Sequence, residues 1–148
     1  MTKPLDEQLV AALCRNGRAD IRDLANSTSE VPTTVQKRLR ALEDSGTISG
    51  YTAMIDYGKL GYETVIFRLA VELGQIDSVT ARLSARTPFM TVYQMSDTDT
   101  VFAVGKFKTE SAIASCLSEL HDDLDIRGIE TNRVRSIHRE GSSPLING

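Results

Sequence analysis

Along the first third of the chain, apolar side chains recur at intervals of three and four. Beyond residue 62 the interval shortens to two, broken by two further stretches at helical spacing. Leu9, Val10 and Leu13 form the first stripe and predict a helix from about Asp6, its N-cap, to Asn16-Gly17, a left-handed stop. A second, short helix starts near Asp20 with Ile21, Leu24 and Ala25 inward. A third spans Pro32 to Ser45, with Pro32 at the first helical position, Gly46 past the end, and Val35, Leu39 and Leu42 facing the core. Residues 48–55 read as a strand, and the Gly-spaced run from Asp56 to Gly61 as a domain boundary.

The remainder repeats one pattern twice. Thr64 to Glu72 reads as a strand, Ile76, Val79 and Leu83 mark a helix, and Phe89 to Met95 a second strand. After the turn Ser96 to Asp99 come a strand from Thr100 to Phe107, a helix carrying Ile113, Leu117 and Leu120, and a last strand from Arg127 to Ile137. The order βαββαβ gives a ferredoxin-like sandwich, an antiparallel sheet with both helices on one face. Apolar side chains fall on both sides of its first and third strands, so the second face calls for a cover, and a second copy of the chain is the simplest one. The fold class is therefore α+β: a three-helix, winged-helix-like helix-turn-helix domain (residues 1–50), a strand and linker (51–61), a ferredoxin-like domain (62–140) and a flexible tail (141–148).

Composition narrows the function classes. Hydrophobic content of 41% and charged content of 25% are those of an ordinary globular protein. No apolar run approaches the ~20 residues that cross a bilayer, and Asp6 and Glu7 in the first amphipathic stretch argue against a signal peptide. Cys14 and Cys116 both fall beside predicted apolar helix faces and read as buried free thiols, which suits a reducing cytoplasm. The net charge of −3 looks wrong for a nucleic-acid binder, but its distribution does not. Residues 1–50 hold seven basic and seven acidic groups, and residues 51–148 ten and thirteen, so the acidity belongs to the C-terminal part.

The third helix carries the most informative chemistry. At about 100° per residue from Val35, the side chains of Thr33, Lys37 and Arg40 fall within about 40° of the pole opposite the core stripe. Gln36 and Thr34 flank that pole, and Arg38 lies nearer the core edge. In a helix-turn-helix this pole enters the major groove of double-stranded DNA. Thr33 and Thr34 suit phosphates or thymine methyls, Gln36 adenine and Arg40 guanine, while Lys37 and Arg38 suit phosphates.

The chain resembles the leucine-responsive regulatory protein/AsnC family of transcription regulators over nearly its whole length. The family's D-x-x-I-L-x-x-L run and D-G-R are matched by Asp6-Glu-Gln-Leu-Val-Ala-Ala-Leu13 and Asn16-Gly17-Arg18, and its L-A by Leu24-Ala25. Its T-V-x-x-R-L-x-x-L-E-x-x-G-x-I-x-G-Y signature is matched from Thr34-Val35 through Gly50-Tyr51. Two positions depart: Val31 stands where the family has an N-capping Ser, and Ser96 replaces the Gly of its T-G-x-x-D turn.

The resemblance implies a homodimer, with octamers or discs open, whose C-terminal domain senses an amino acid or related metabolite. The matching positions are Met95, Ser96, Asp97, Thr98 and Asp99, where carboxylates suit an ammonium and hydroxyls or turn amides a carboxylate. A plain β-hairpin turn uses the same residue types. Two rival readings stay open. Sirohaem decarboxylases resemble the same family, although the available histidines, His121 and His138, read as structural. The other rival is a self-associating protein-interaction module. No metal-ligand spacing, Gly-rich phosphate loop or Ser/His/Asp set is present, so neither enzyme activity, metal nor cofactor is expected.

Overall fold

A computed structural model describes residues 4–97 and 99–145. The chain divides into two compact units: residues up to Ile55 together with those from His138 on, and Asp56–Ile137. The described residues 138–145 therefore group with the helices rather than with the sheet.

The first unit holds α1 (Leu5–Arg15), α2 (Ile21–Thr28) and α3 (Pro32–Asp44). Its core is Leu9, Leu24, Ala25, Val35 and Leu42, with Leu13, Ile21, Leu39 and Ile48 partly buried against them. The apolar stripes read from the sequence thus converge on one nucleus. Asp20 caps α2 through a reciprocal box, its carboxylate accepting from the Asp23 N–H at 2.8 Å while Asp23 accepts from the Asp20 N–H at 3.1 Å.

Several local expectations need correction. The N-cap of α1 is Pro4, and Asp6 sits in the first turn with its carboxylate committed to Arg38. The end of α1 has no left-handed stop: Asn16 is extended at φ −146°, and its side chain accepts the Arg18 N–H at 3.0 Å to turn the chain instead. Cys14 is exposed, and only Cys116 is a buried thiol. Residues 48–55 join no sheet, because no other described segment pairs with them; the Ile48 N–H donates to the Leu42 carbonyl, and Tyr51, Met54 and Ile55 are exposed.

The C-cap of α2 is Ser29, held left-handed at φ 56°, ψ 36°. A side chain pays for that conformation and glycine does not. Ser29→Gly is expected to raise unfolding stability by about 0.5–1 kcal/mol, the relief of the left-handed cost less the extra freedom glycine gives the unfolded chain, measured by urea denaturation. A lower midpoint would mean that the serine is not strained there.

The second unit holds a 3₁₀ turn (Tyr57–Leu60), β1 (Glu63–Val71), α4 (Ile76–Ser84), β2 (Phe89–Gln94), β3 (Thr100–Phe107), α5 (Glu110–Asp122) and β4 (Ile126–Arg133). The sheet order is β2-β3-β1-β4 and every pair is antiparallel, the ferredoxin-like arrangement. The last strand stops at Arg133, short of the expected Ile137, where pairing with β1 ends at Val65. One face carries Val65, Phe67, Leu69, Val71, Val101, Ala103 and Phe107, packed against Val79, Leu83, Ile113, Cys116 and Leu120 of the helices. Phe67 meets Phe89 edge-on at 5.4 Å and Phe107 at 6.0 Å. Gly105 makes room for this cluster, since a Cβ there would stand 2.6 Å from the Phe107 ring.

The alternate residues, among them Ile66, Arg68, Phe102, Val104 and Tyr93, point to the other face. Ile66, Phe102 and Val104 stay half-buried there, and Tyr93 stacks on Phe102.

Burial pushes the Cys116 thiol above its ordinary value, the nearby Arg86 opposing this only in part. An aryl disulfide reagent is expected to titrate Cys14 alone in the folded protein and both thiols in denaturant. Two fast thiols under native conditions would contradict the packing of α5.

Candidate nucleic-acid interface

Ser29, Glu30 and Val31 connect α2 to α3, and the Glu30 N–H closes the connection on the Ala25 carbonyl at 3.1 Å. So short a link holds the two helices against each other. Val31 occupies the N-cap of α3 and supplies no side-chain acceptor. Pro32 has no N–H and the Thr34 N–H donates to the Val31 carbonyl at 3.1 Å, so Thr33 carries the one first-turn amide without an acceptor among the described residues.

On α3, Val35 and Leu42 are buried and Leu39 is half-buried. Thr33, Gln36, Lys37 and Arg40 are exposed and line one open surface depression of about 340 Å³. The structure thus brings together four of the six residues expected to meet DNA. Thr34 is half-buried at the flank. Lys37 and Arg40 join no ion pair among the described residues, so their charge is available to a polyanion.

Arg38 is placed differently. Its Nε donates to Asp6 Oδ1 at 2.9 Å and its Nη2 to Asp6 Oδ2 at 2.7 Å, a fork on a carboxylate contributed by α1. The guanidinium holds the Asp6 carboxyl below the usual carboxylate range. Just beyond α3, Tyr51 donates its hydroxyl to Glu43 at 3.0 Å. Burial, and then that bond, push the phenol above its ordinary value.

In the second unit, the turn between β2 and β3 carries the residues expected to meet a small molecule. Met95 and Ser96 are exposed, and Thr98 lies outside the described residues. Asp97 accepts the Thr100 N–H at 3.0 Å and the Thr100 hydroxyl at 2.9 Å, so both its oxygens close the turn. Asp99 accepts from Arg127 Nη2 at 2.7 Å through Oδ2, while Oδ1 has no partner among the described residues. Arg127 meets this turn although sequence spacing gave no sign of it: it lies 28 residues along the chain from Asp99, and the pairing of β4 with β1 brings it here.

His121 is exposed in the last turn of α5, and His138 is exposed in the other unit. Among the described residues no group of His, Cys, Asp or Glu is arranged to hold a metal, and no helix is long and apolar enough to cross a membrane.

Comparison with known proteins supplies a separate line of observation. Residues 3–49 match the winged helix-turn-helix DNA-binding family. Over 145 residues, covering 95% of each chain, the sequence is 29% identical to the HTH-type transcriptional regulator FL11 of Pyrococcus horikoshii. Escherichia coli AsnC superposes with a TM-score of 0.78 at 20% identity, covering 97% of this chain and 98% of that one. A transcriptional regulator of Neisseria meningitidis, solved as its L-Met complex, superposes at 0.80 with 18% identity, covering 98% and 97%. At such identities the two structures report a shared fold.

Proposed function

We propose that this chain is a helix-turn-helix transcription regulator of the leucine-responsive regulatory protein/AsnC family, a reading that the comparisons support, and that α3 reads the major groove with Thr33, Gln36 and Arg40 while Lys37 holds a phosphate. The observation that carries this reading is the exposed cluster of Thr33, Gln36, Lys37 and Arg40 on one helix face, its cations in no ion pair among the described residues. One such helix touches too few base pairs to single out a site, so the working unit is a dimer bound to two half-sites about one helical turn apart. The second sheet face, with Ile66, Phe102 and Val104 half-buried and Tyr93 exposed, suits the contact between copies.

The small-molecule partner is an amino acid, and its site includes the turn Met95–Asp99. Support comes from the neisserial structure, which is a complex with L-Met, and from Asp99, whose Oδ1 is open to an ammonium. Asp97 contributes to the shape of the turn instead, since Thr100 occupies both its oxygens. A ligand that favours one assembly over another would alter DNA occupancy by that differential affinity alone.

The test is titration calorimetry of the full chain with each of the twenty amino acids, L-Met first, combined with sedimentation and duplex binding. Heat with one or a few of them, accompanied by a change in mass or in DNA affinity, is the expected result. DNA binding that persists with no heat from any amino acid would remove the effector and leave a constitutive regulator.

A further inference from the structure

The Asp6–Arg38 pair carries an inference that rests on this reading of α3 and goes further. Arg38 follows Lys37 on the helix, between the groove-facing residues and the Val35, Leu39, Leu42 stripe. Asp6 sits in the first turn of α1, where the positive end of that helix also favours a carboxylate. Two hydrogen bonds, at 2.9 and 2.7 Å, join them across 32 residues of sequence.

The aliphatic stripe fixes which face of α3 turns inward, but apolar burial itself has no direction and sets the finer rotation less sharply. A bidentate guanidinium–carboxylate pair does have direction. We infer that Asp6 and Arg38 form a clip that sets the rotation of the recognition helix, so that Arg38 serves DNA reading by positioning Gln36 and Arg40 rather than by touching a phosphate. Both partners are about two-fifths exposed, 44% and 38%, and exposed pairs add little to overall stability. The clip therefore acts on where the helix points, not on whether it folds. The pair uses Nε and Nη2, two donor atoms of the fork, so the Nη1 edge stays open to a phosphate, and the experiment has to separate the two roles.

The experiment compares the wild-type full chain with Asp6→Asn, with Arg38→Ala, and with the exchange Asp6→Arg plus Arg38→Asp. The probes are a duplex enriched from random DNA by the wild type and a scrambled duplex of the same length, each titrated over a salt series with thermal midpoints recorded. Each single variant is expected to lower the ratio of specific to non-specific affinity by about tenfold, comparable to one mismatched base pair, with the midpoint nearly unchanged. The exchange restores the ratio to within about twofold. An aspartate on α3 weakens binding to both duplexes alike, so the ratio is the diagnostic quantity.

If Arg38 is instead a phosphate ligand, Arg38→Ala weakens both duplexes equally and flattens the salt slope by about 0.9, while Asp6→Asn leaves the ratio intact. That outcome overturns the inference, as does a folded exchange variant that fails to recover the ratio. Should the exchange variant not fold, the two single variants decide, since only the clip makes Asp6→Asn lower the ratio. A wild type that shows no sequence preference would overturn the reading of α3 itself.

Discussion

Replacing Lys37 and Arg40 together by alanine is expected to lower affinity for the cognate duplex by two to three orders of magnitude, leaving the fold intact. The two side chains contribute by different routes. A lysine on a phosphate releases counterions, so its loss flattens the dependence of log affinity on log salt by about 0.9. An arginine bidentate on guanine contributes about 1–3 kcal/mol of discrimination against the wrong base. Both side chains are exposed and unpaired among the described residues, so no buried partner is stranded when they are removed. The single variants should separate the effects. Lys37→Ala changes the salt slope and weakens all sequences alike, whereas Arg40→Ala relaxes preference at one base position. Fluorescence anisotropy over a salt series, with circular dichroism as the fold control, checks both. Undiminished affinity in the double variant would place the DNA contact on another element.

The largest expected effect on stability lies in the other unit. Phe67→Ala should cost about 3–5 kcal/mol, a large part of the roughly 5–15 kcal/mol that holds a domain together. Phe67 is fully buried at the middle of β1, between β3 and β4, and its ring is enclosed by Phe89 and Phe107. The surrounding strands are tied by ladder hydrogen bonds and cannot easily collapse into the vacated space, which puts the cost toward the upper end. Urea unfolding followed by far-UV circular dichroism measures it. A loss under about 1 kcal/mol would mean that the ring is not enclosed as described. A stability change in this sheet should leave the groove-facing chemistry of α3 untouched, so any DNA binding by the surviving folded fraction should keep the wild-type salt slope.

Much of this architecture is legible from the chain because its strongest signals are local. Pro32 and Gly46 bracket α3, Asp20 opens α2, and Thr109 caps α5 by accepting the Ala112 N–H at 3.0 Å. Each depends on residues within a turn of one another, as does the alternation that assigns Phe67 and Leu69 to one sheet face and Ile66 and Arg68 to the other. The exposed set on α3 is legible for the same reason, since helical spacing alone places Thr33, Gln36, Lys37 and Arg40 together.

What sequence cannot supply is partnership over distance. Asp6 makes a good N-cap by composition, yet its carboxylate is taken by Arg38 on another helix. Asp99 and Arg127 meet only because β4 lies beside β1. Residues 48–55 alternate like a strand, but alternation cannot create the neighbouring backbone that a ladder requires. Cys14 flanks an apolar stripe without belonging to it, and one helical position decides between contact and solvent.

The three helices close over a modest nucleus formed by Leu9, Leu24, Ala25, Val35 and Leu42, whereas the sheet unit buries three phenylalanines and a longer series of aliphatics. Hydrogen exchange should therefore find the amides of α1 to α3 opening at lower free energy than those of β1 and β3. A duplex that binds only the closed helices then raises their protection in proportion to its own occupancy. For the helical unit, a bound duplex would then supply, through polar contacts, stability that its small core does not.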